Sequence, residues 1–139
     1  EKTFVIYVDA TVGHAINMFL AGTEKERPLT HDIATLMMNA LGAELREVRI
    51  VELRDETFRA RMLVAPTGGA VQELDARPSD AVALALRANA PIFISLDLLA
   101  AEGIVPEAAE EERLTLFRDF VNSLDGDQPN DVKGSEPER

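Results

Sequence analysis

Two strand-like runs separated by three polar residues constrain the fold of this chain more than any other feature. The runs are AELREVRIVEL (43–53) and TFRARMLVA (57–65), and RDE (54–56) lies between them. A link this short joins strands only as an antiparallel hairpin, because parallel strands need a crossover of a dozen or more residues. If the turn centres on Asp55 and Glu56, Glu52 lies opposite Arg59, which predicts a favourable cross-strand pair. At least part of the sheet is therefore antiparallel.

The remaining apolar patterns predict helices interleaved with further strands. A helical repeat starts at Thr30 and ends before Gly42, with its apolar positions at Ile33, Leu36, Met37, Ala40 and Leu41. Other runs predict strands over 3–8, 71–76 and 91–95 and helices over 12–20, 79–90 and 96–103. The helix over 79–90 is apolar on nearly every side, so we expect it inside the fold. Together these elements predict an α+β fold, a single compact domain with a mixed, partly antiparallel sheet and packed helices.

The domain organisation follows from a change in composition near residue 105. Residues 1–105 carry the strands and helices described above, and the chain begins within a strand-like run, so we expect the native start to be missing. Residues 106–124 form an amphipathic pattern with Leu114, Phe117, Val121 and Leu124 on one stripe. Residues 125–139 contain one β-branched and no aromatic residue, which predicts a disordered acidic tail.

Composition and charge exclude several classes of protein. The chain has 46% hydrophobic and 28% charged residues and no cysteine, which excludes disulfide frameworks, thiolate metal sites and cysteine nucleophiles. No apolar run is long enough to cross a membrane and no signal-peptide pattern is visible, so we expect a cytoplasmic protein. The net charge of −11 argues against a wholly basic nucleic-acid surface. More than half of this excess follows residue 105, however, and five arginines cluster earlier, as solvated strand residues or as a basic patch: Arg46, Arg49, Arg54, Arg59 and Arg61.

An Arg-Pro pair occurs twice, each time just before a helix and an aspartate. Proline restricts the preceding residue to extended conformations, so we expect Arg27 and Arg77 to be held out from the chain. In one interpretation the two loops are structural, with Thr30 and Ser79 as N-caps, carboxylates in the first helical turns and Arg–Asp ion pairs fastening loop to helix.

The alternative interpretation is that the two loops meet and carry chemistry. His31 would transfer protons, Asp32, Asp75 and Asp80 would bind Mg²⁺ or Mn²⁺, and arginine would bind phosphate. This set of side chains is typical of a metal-assisted phosphodiesterase. His14, the other histidine, lies within a helical pattern and is not expected to be a ligand.

Two long segments carry a resemblance to a known family. RPLTHDIATLMMNALGAELREVRIVELRDETFRARMLV (27–64) and LDARPSDAVALALRANAPIFIS (74–95) resemble the bifunctional nuclease domain, a bacterial and plant family also described as a domain of unknown function. The resemblance extends from about Phe4 to Ile104. It implies a compact α+β domain that forms homo-oligomers and a nuclease active on DNA and RNA. The residues that match the family pattern are Arg27, Thr30, His31, Asp32, Asp75, Arg77, Ser79 and Asp80.

The chain departs from the family pattern at a few positions. Val12 and Gly13 replace the usual glutamate and alanine, Val5 and Asp9 replace proline and glycine, and Arg59 replaces tyrosine. If that glutamate belongs to an active site in other members, this chain lacks it.

Two functional hypotheses follow. The first is a metal-dependent nuclease in which Asp32, Asp75 and Asp80 bind the metal. His31, Asp32 and Asp80 act in catalysis, and Arg27 and Arg77 bind phosphate. The second is a non-catalytic domain that associates with itself or with a protein partner through the helix between Leu114 and Leu124. Neither hypothesis involves a membrane.

Overall fold

The hairpin foreseen from the sequence lies at the centre of the sheet. In the computed structural model, which describes residues 2–103, 111, 114–119 and 121–122, it consists of β1 (Ala43–Arg54) and β2 (Thr57–Pro66). Asp55 and Glu56 form the turn with φ of 50° and 60°. Two residues with positive φ give a mirror-image turn whose twist matches that of the strands. Glu52 lies opposite Arg59, so the predicted register is confirmed.

Two shorter strands complete a four-stranded mixed sheet. β3 (Gln72–Ala76) pairs antiparallel with β2, and β4 (Ile92–Ile94) pairs parallel with β1. The strand order is β3-β2-β1-β4. The parallel pair requires a crossover, which is supplied by the chain between β3 and β4. The predicted α+β class is confirmed.

Four helices accompany the sheet, close to the positions predicted from the sequence. They are α1 (Ala10–Leu20), α2 (Thr30–Ala40), α3 (Pro78–Ala88) and α4 (Leu96–Glu102). α3 contacts β1, β2, α1 and α2. Its Ala81, Ala83 and Ala85 are fully buried, because small side chains let the helix lie close to its neighbours. The interior position predicted for this helix is confirmed.

The core lies between α3 and the β1–β2 hairpin. Its buried members are Leu45, Val48, Ile50, Ala60, Ala81, Leu84, Ala85 and Leu98. Phe4–Gly103 form one compact unit, which contains this core.

The predicted strand over residues 3–8 is wrong. Thr3 lies in an isolated β-bridge, and residues 4–9 have no regular secondary structure. The side chains still alternate, since Phe4 and Ile6 are half-buried whereas Val5 and Tyr7 are exposed. Phe4 packs edge-on against Phe58, with ring centroids 4.9 Å apart. The strand-like pattern therefore comes from side-chain packing along an extended segment, without the backbone pairing that defines a strand.

The apolar stripe of α2 faces outward. Ile33, Leu36, Met37 and Leu41 are between 45% and 79% exposed, whereas Ala34 and Met38 pack against the core. The helix is amphipathic, as predicted, but the side that contacts α3 and β1 carries smaller and more polar residues. An exposed apolar stripe of this kind marks a surface available for association.

The C-terminal predictions fall largely outside the described residues. Residues 111, 114–119 and 121–122 are helical, and Leu114, Phe117 and Val121 are exposed. Leu124 and the predicted tail over 125–139 lie outside the described residues. Within the described part of the chain, no helix has the length and apolar character needed to cross a membrane.

Candidate functional site

The starts of α2 and α3 differ from the predicted caps. Leu29, in extended conformation, is the N-cap of α2, and Thr30 is the first helical residue. Arg77 is the N-cap of α3, because Pro78 fits the first helical position, where no N–H is needed. The prediction of Thr30 and Ser79 as N-caps is therefore wrong, and Ser79 is instead buried in the first turn. Arg77 is extended, with φ of −66° and ψ of 141°, as expected before proline.

A continuous polar network joins the starts of three helices. His31 Nε2, in the first turn of α2, lies 2.9 Å from Asp80 Oδ1 in the first turn of α3. Arg77 Nε donates to the other oxygen of Asp80 at 2.7 Å, and its terminal nitrogen donates to Asp9 Oδ2 at 3.2 Å. Asp9 is the N-cap of α1 and accepts from the Val12 N–H at 2.9 Å. The two Arg-Pro loops therefore meet through His31 and Asp80, as the chemical interpretation of the sequence required.

The electrostatics of this network fix the protonation state of Asp80. The hydrogen bond and the charge of Arg77 lower the pKa of Asp80; partial burial opposes them, and the His31 contact adds to the lowering. Asp80 is therefore ionised at neutral pH and accepts a hydrogen bond from Nε2–H of His31. Only 13% of the His31 side chain is exposed, so its ring is held in place by the surrounding protein. A carboxylate that orients an imidazole is the arrangement that acid–base catalysis requires.

Asp32 belongs to a second and separate network. Its Oδ2 accepts from Lys25 Nζ at 2.5 Å and from the Leu29 N–H at 2.8 Å, and its Oδ1 accepts from Arg87 Nε at 2.7 Å. Burial alone would raise the pKa of Asp32, but the hydrogen bonds from Lys25 and Arg87 outweigh it and lower the pKa far below its usual range. Successive helical residues point about 100° apart, which is why Asp32 faces Arg87 while His31 faces Asp80.

Arg87 is the residue that the sequence prediction missed at this second network. Its side chain is 4% exposed, and it also donates to the carbonyl oxygens of Ala83 at 2.8 Å and Ala15 at 3.3 Å. The guanidinium carbon lies 5.4 Å from the centre of the Phe19 ring, within the range of a cation–π contact. Arg87 therefore ties α3 to α1 and α2. The signal was present in the sequence, since Arg87 is the only charged residue of α3 after Asp80 and the residues around it are apolar.

The third predicted metal ligand, Asp75, lies apart from both networks. It sits on β3 opposite Arg61, whose guanidinium donates to it at 2.8 Å. Asp32, Asp75 and Asp80 thus each pair with a different set of cations. Across residues 2–103 and the described C-terminal positions, no group of three or more histidine, aspartate or glutamate side chains is arranged to hold a metal ion. In this conformation the predicted ligands do not fit one Mg²⁺ or Mn²⁺ ion, and the metal stays a prediction.

The two predicted phosphate-binding arginines are placed differently. Arg77 lies within the polar network, whereas Arg27 is exposed in the loop before α2. No hydrogen bond or ion pair joins Arg27 to another described residue. Its role in phosphate binding stays a prediction.

An open cavity of about 300 Å³ adjoins the network at Arg77. Asp9, Arg77 and Ser79 line one part of it, and Tyr7 and Phe58 line another. Tyr7 is 95% exposed, so its ring is available to a ligand. The sequence prediction missed Tyr7 and Asp9, because their importance depends on how the segment before α1 crosses the start of α3.

Comparison with known proteins relates this chain to a family. The family model for the bifunctional nuclease domain matches residues 1–107. The chain belongs to the bifunctional nuclease domain family. The predicted resemblance is therefore confirmed.

The chain is similar to an uncharacterized bacterial protein and to plant proteins named bifunctional nucleases. An uncharacterized protein of Mycobacterium tuberculosis (strain H37Rv) is 37% identical over 141 residues, covering 97% of this chain and 84% of the relative. Bifunctional nuclease 1 of Arabidopsis thaliana is 28% identical over 107 residues, covering 75% of this chain and 33% of the plant protein. Bifunctional nuclease 2 of Oryza sativa subsp. japonica is 30% identical over 100 residues, covering 70% and 30%. This bifunctional nuclease domain thus spans about a third of the plant proteins.

Proposed function

We propose that the protein is a nuclease that hydrolyses phosphodiester bonds in DNA and RNA. Its family membership and the names of its plant relatives support a nuclease. The observation that carries the proposal is the His31–Asp80–Arg77 network, which joins a proton-transfer group to a phosphate-binding group within hydrogen-bonding distances.

The helix starts around this network favour a phosphate group. Asp9, His31 and Arg77 lie at the N-termini of α1, α2 and α3, where the positive ends of the helix dipoles attract anions. Arg77 keeps its positive charge, because its contacts with Asp80 and Asp9 raise its pKa. We propose that Arg77 binds a phosphate group of the substrate in the adjoining cavity.

His31 is the proposed proton-transfer group. Asp80 accepts a hydrogen bond from Nε2–H of His31, which leaves Nδ1 to take a proton from an attacking water. The water oxygen bonds to phosphorus and the phosphorus–oxygen bond on the opposite side breaks. The departing oxygen takes a proton from solvent, to which His31 returns the proton that it took. Arg77 neutralises the charge that develops on the phosphate oxygens. Asp32 has no direct part in this scheme, since both of its oxygens are held by Lys25, Leu29 and Arg87.

The test compares cleavage of labelled single-stranded RNA and duplex DNA by four proteins. These are the wild type, His31→Gln, Asp80→Asn and His14→Gln, each with Mg²⁺, with Mn²⁺ and with chelator. His14 is an exposed histidine on α1 and serves as the matched control. We expect His31→Gln to lose about 100-fold or more in kcat, as is typical for loss of a general acid or base, and His14→Gln to match the wild type.

The outcomes distinguish catalysis by His31 from cleavage by a contaminating nuclease and from a positioning role of His31. Equal cleavage by the wild type and His31→Gln, with both folded by circular dichroism, would contradict the assignment. If His31→Gln changes KM but leaves the pH profile of kcat intact, His31 is a positioning residue. The chelator arm tests the predicted divalent metal independently of the variants.

The exposed stripe of α2 favours a second candidate function, self-association. Ile33, Leu36, Met37 and Leu41 recur at the spacing of one helix face and lie outside the core. Two such faces are self-complementary when two copies pack about a two-fold axis. Leu114, Phe117 and Val121 in the C-terminal helix are also exposed, so the predicted role of that helix in association remains a proposal.

Light scattering after size exclusion tests self-association. We expect Leu36→Gln to have a lower measured molar mass than the wild type, because the substitution places a polar group in the centre of the apolar face and weakens association. Leu96→Gln is the matched control, since Leu96 is also exposed but lies on α4. A wild type that elutes as a monomer at all concentrations, or an oligomer unaffected by Leu36→Gln, would exclude the α2 face as the interface.

A further inference from the structure

Five arginines near the hairpin divide into two groups by their contacts. Arg46 pairs with Glu44, Arg49 with Glu47, and Arg61 with Asp75 and Glu73. Arg54 and Arg59 form no ion pair with any other described residue. The first group therefore fits solvated strand residues, and the second calls for a different explanation.

Arg59 has an unsatisfied polar group. It lies opposite Glu52 in the sheet, yet the predicted pair between these side chains does not form an ion pair. Its Nε atom is buried and has no hydrogen-bond partner among the described residues. A buried donor without a partner is rare in proteins, and an unseen water or ion commonly explains one.

Arg59 lines a second cavity, of about 230 Å³, at the turn end of the hairpin. Arg54 and Arg77 line the same cavity. Asp55 and Asp75 are the carboxylates in its lining, and Asp75 is already engaged by Arg61 at 2.8 Å. Arg77 is paired with Asp80 and Asp9, so Arg54 and Arg59 are the guanidinium groups of this lining that no described carboxylate pairs with.

We propose that this cavity binds a phosphate group through Arg54, Arg59 and Arg77. Planar guanidinium groups match the oxygens of phosphate with paired N–H donors. The size of the cavity suits one phosphate with its hydration, and Arg54 and Arg59 have no ion-pair partner among the described residues that a phosphate would have to displace. Arg77 lines both this cavity and the one that adjoins the polar network, so the two cavities are adjacent.

The phosphate can come from a nucleic acid strand or from a free phosphate compound. The first source rests on the proposed nuclease function: a strand whose scissile phosphate contacts Arg77 would place a neighbouring phosphate between Arg54 and Arg59. The second source does not depend on that function.

Calorimetric titration with inorganic phosphate at constant ionic strength tests the site itself. We expect Arg59→Gln to weaken phosphate binding about tenfold or more, as loss of a charge-assisted hydrogen bond implies. Arg54→Gln, at an exposed position, should weaken it without affecting the fold. Arg46→Gln removes an equally charged strand residue outside the cavity and should bind like the wild type. No phosphate binding by the wild type, or equal binding by the wild type and Arg59→Gln, would overturn the proposal.

Fluorescence anisotropy with a labelled single-stranded oligonucleotide distinguishes the two sources. The measurement uses His31→Gln to prevent cleavage, with and without Arg59→Gln. Weaker binding with a shallower salt dependence in the double variant would identify a strand phosphate. Unchanged oligonucleotide binding, together with lost binding of inorganic phosphate, would identify a free phosphate compound. If the wild type binds phosphate but cleaves nothing, the nuclease proposal fails while the phosphate site stands.

Discussion

Neighbouring residues in the HD pair have different roles, although both were predicted to be catalytic. His31 contacts Asp80, while Asp32 is held between Lys25 and Arg87. The predicted meeting of the two loops is confirmed by the contact between His31 and Asp80, while the functional roles of these residues stay predictions. The difference in contacts could not be predicted, since it depends on Arg87, which lies 55 positions after Asp32 in the chain.

The Asp32–Arg87 pair is expected to contribute strongly to stability. Asp32→Asn leaves the buried guanidinium of Arg87 without a charged partner, which should lower the free energy of unfolding by about 3 kcal/mol, the lower end of the range for broken buried pairs. Asp75→Asn removes the same charge from an exposed pair and should cost about 1 kcal/mol or less. Urea unfolding of both variants at pH 7 checks this comparison. Similar losses in the two variants would show that burial of Arg87 does not matter.

The same pair predicts a pH dependence of stability. Because the pKa of Asp32 is lower in the folded protein than its ordinary value of 3.8, its contribution is fully present above that value. The contribution is lost as pH falls through the folded pKa. The difference in unfolding free energy between the wild type and Asp32→Asn should therefore shrink from pH 5 to about pH 2. A difference that stays constant or grows over this range would contradict the assigned charge state of Asp32.

At the scale of elements, local signals predicted more than packing did. The hairpin, its turn and its register followed from strand patterns and link length, and α1, α2 and α3 followed from apolar spacing. The outward face of α2 could not be predicted, because spacing shows which residues share a face and not what covers that face. The extended segment over residues 4–9 misled for a similar reason: alternation reports side-chain packing whether or not a strand partner is present.

The β1–β2 turn offers an element-scale test. Glu56 adopts φ of 60°, a conformation that is strained for most residues and natural for glycine. We expect Glu56→Gly to raise the free energy of unfolding by about 0.5–1 kcal/mol, since relief of strain exceeds the added chain entropy. Glu73→Gly in β3 is the matched control and should destabilise the protein. A loss of stability in Glu56→Gly would show that the turn is not under conformational strain.

At the scale of the whole molecule, an acidic protein carries the arginine-lined cavity that we propose binds phosphate. The net charge of −11 repels a nucleic acid at distances where the arginines near the hairpin and Arg77 have no separate effect. Salt screens this long-range repulsion first, because the Debye length falls from about 30 Å at 0.01 M to about 10 Å at 0.1 M.

This balance predicts an unusual salt response for substrate association. The association rate of a single-stranded oligonucleotide with the His31→Gln protein should rise as ionic strength increases from about 0.01 M, opposite to the response of basic nucleases. Stopped-flow fluorescence measures the rate, and an uncharged backbone analogue should show no such rise. A rate that falls steadily with salt would indicate that the local positive site dominates at all distances.

The network that joins three helix starts also has a consequence for synthesis of the chain. His31 and Asp80 are 49 positions apart, and Asp9 and Arg77 are 68 apart. Such distant partners cannot meet before Arg77 and Asp80 have been synthesised, whereas the hairpin itself closes locally. A nascent chain on the ribosome therefore has no assembled site until α3 has left the exit tunnel. For the proposed nuclease, the messenger and ribosomal RNA around the growing chain are safe from cleavage until the domain is nearly complete.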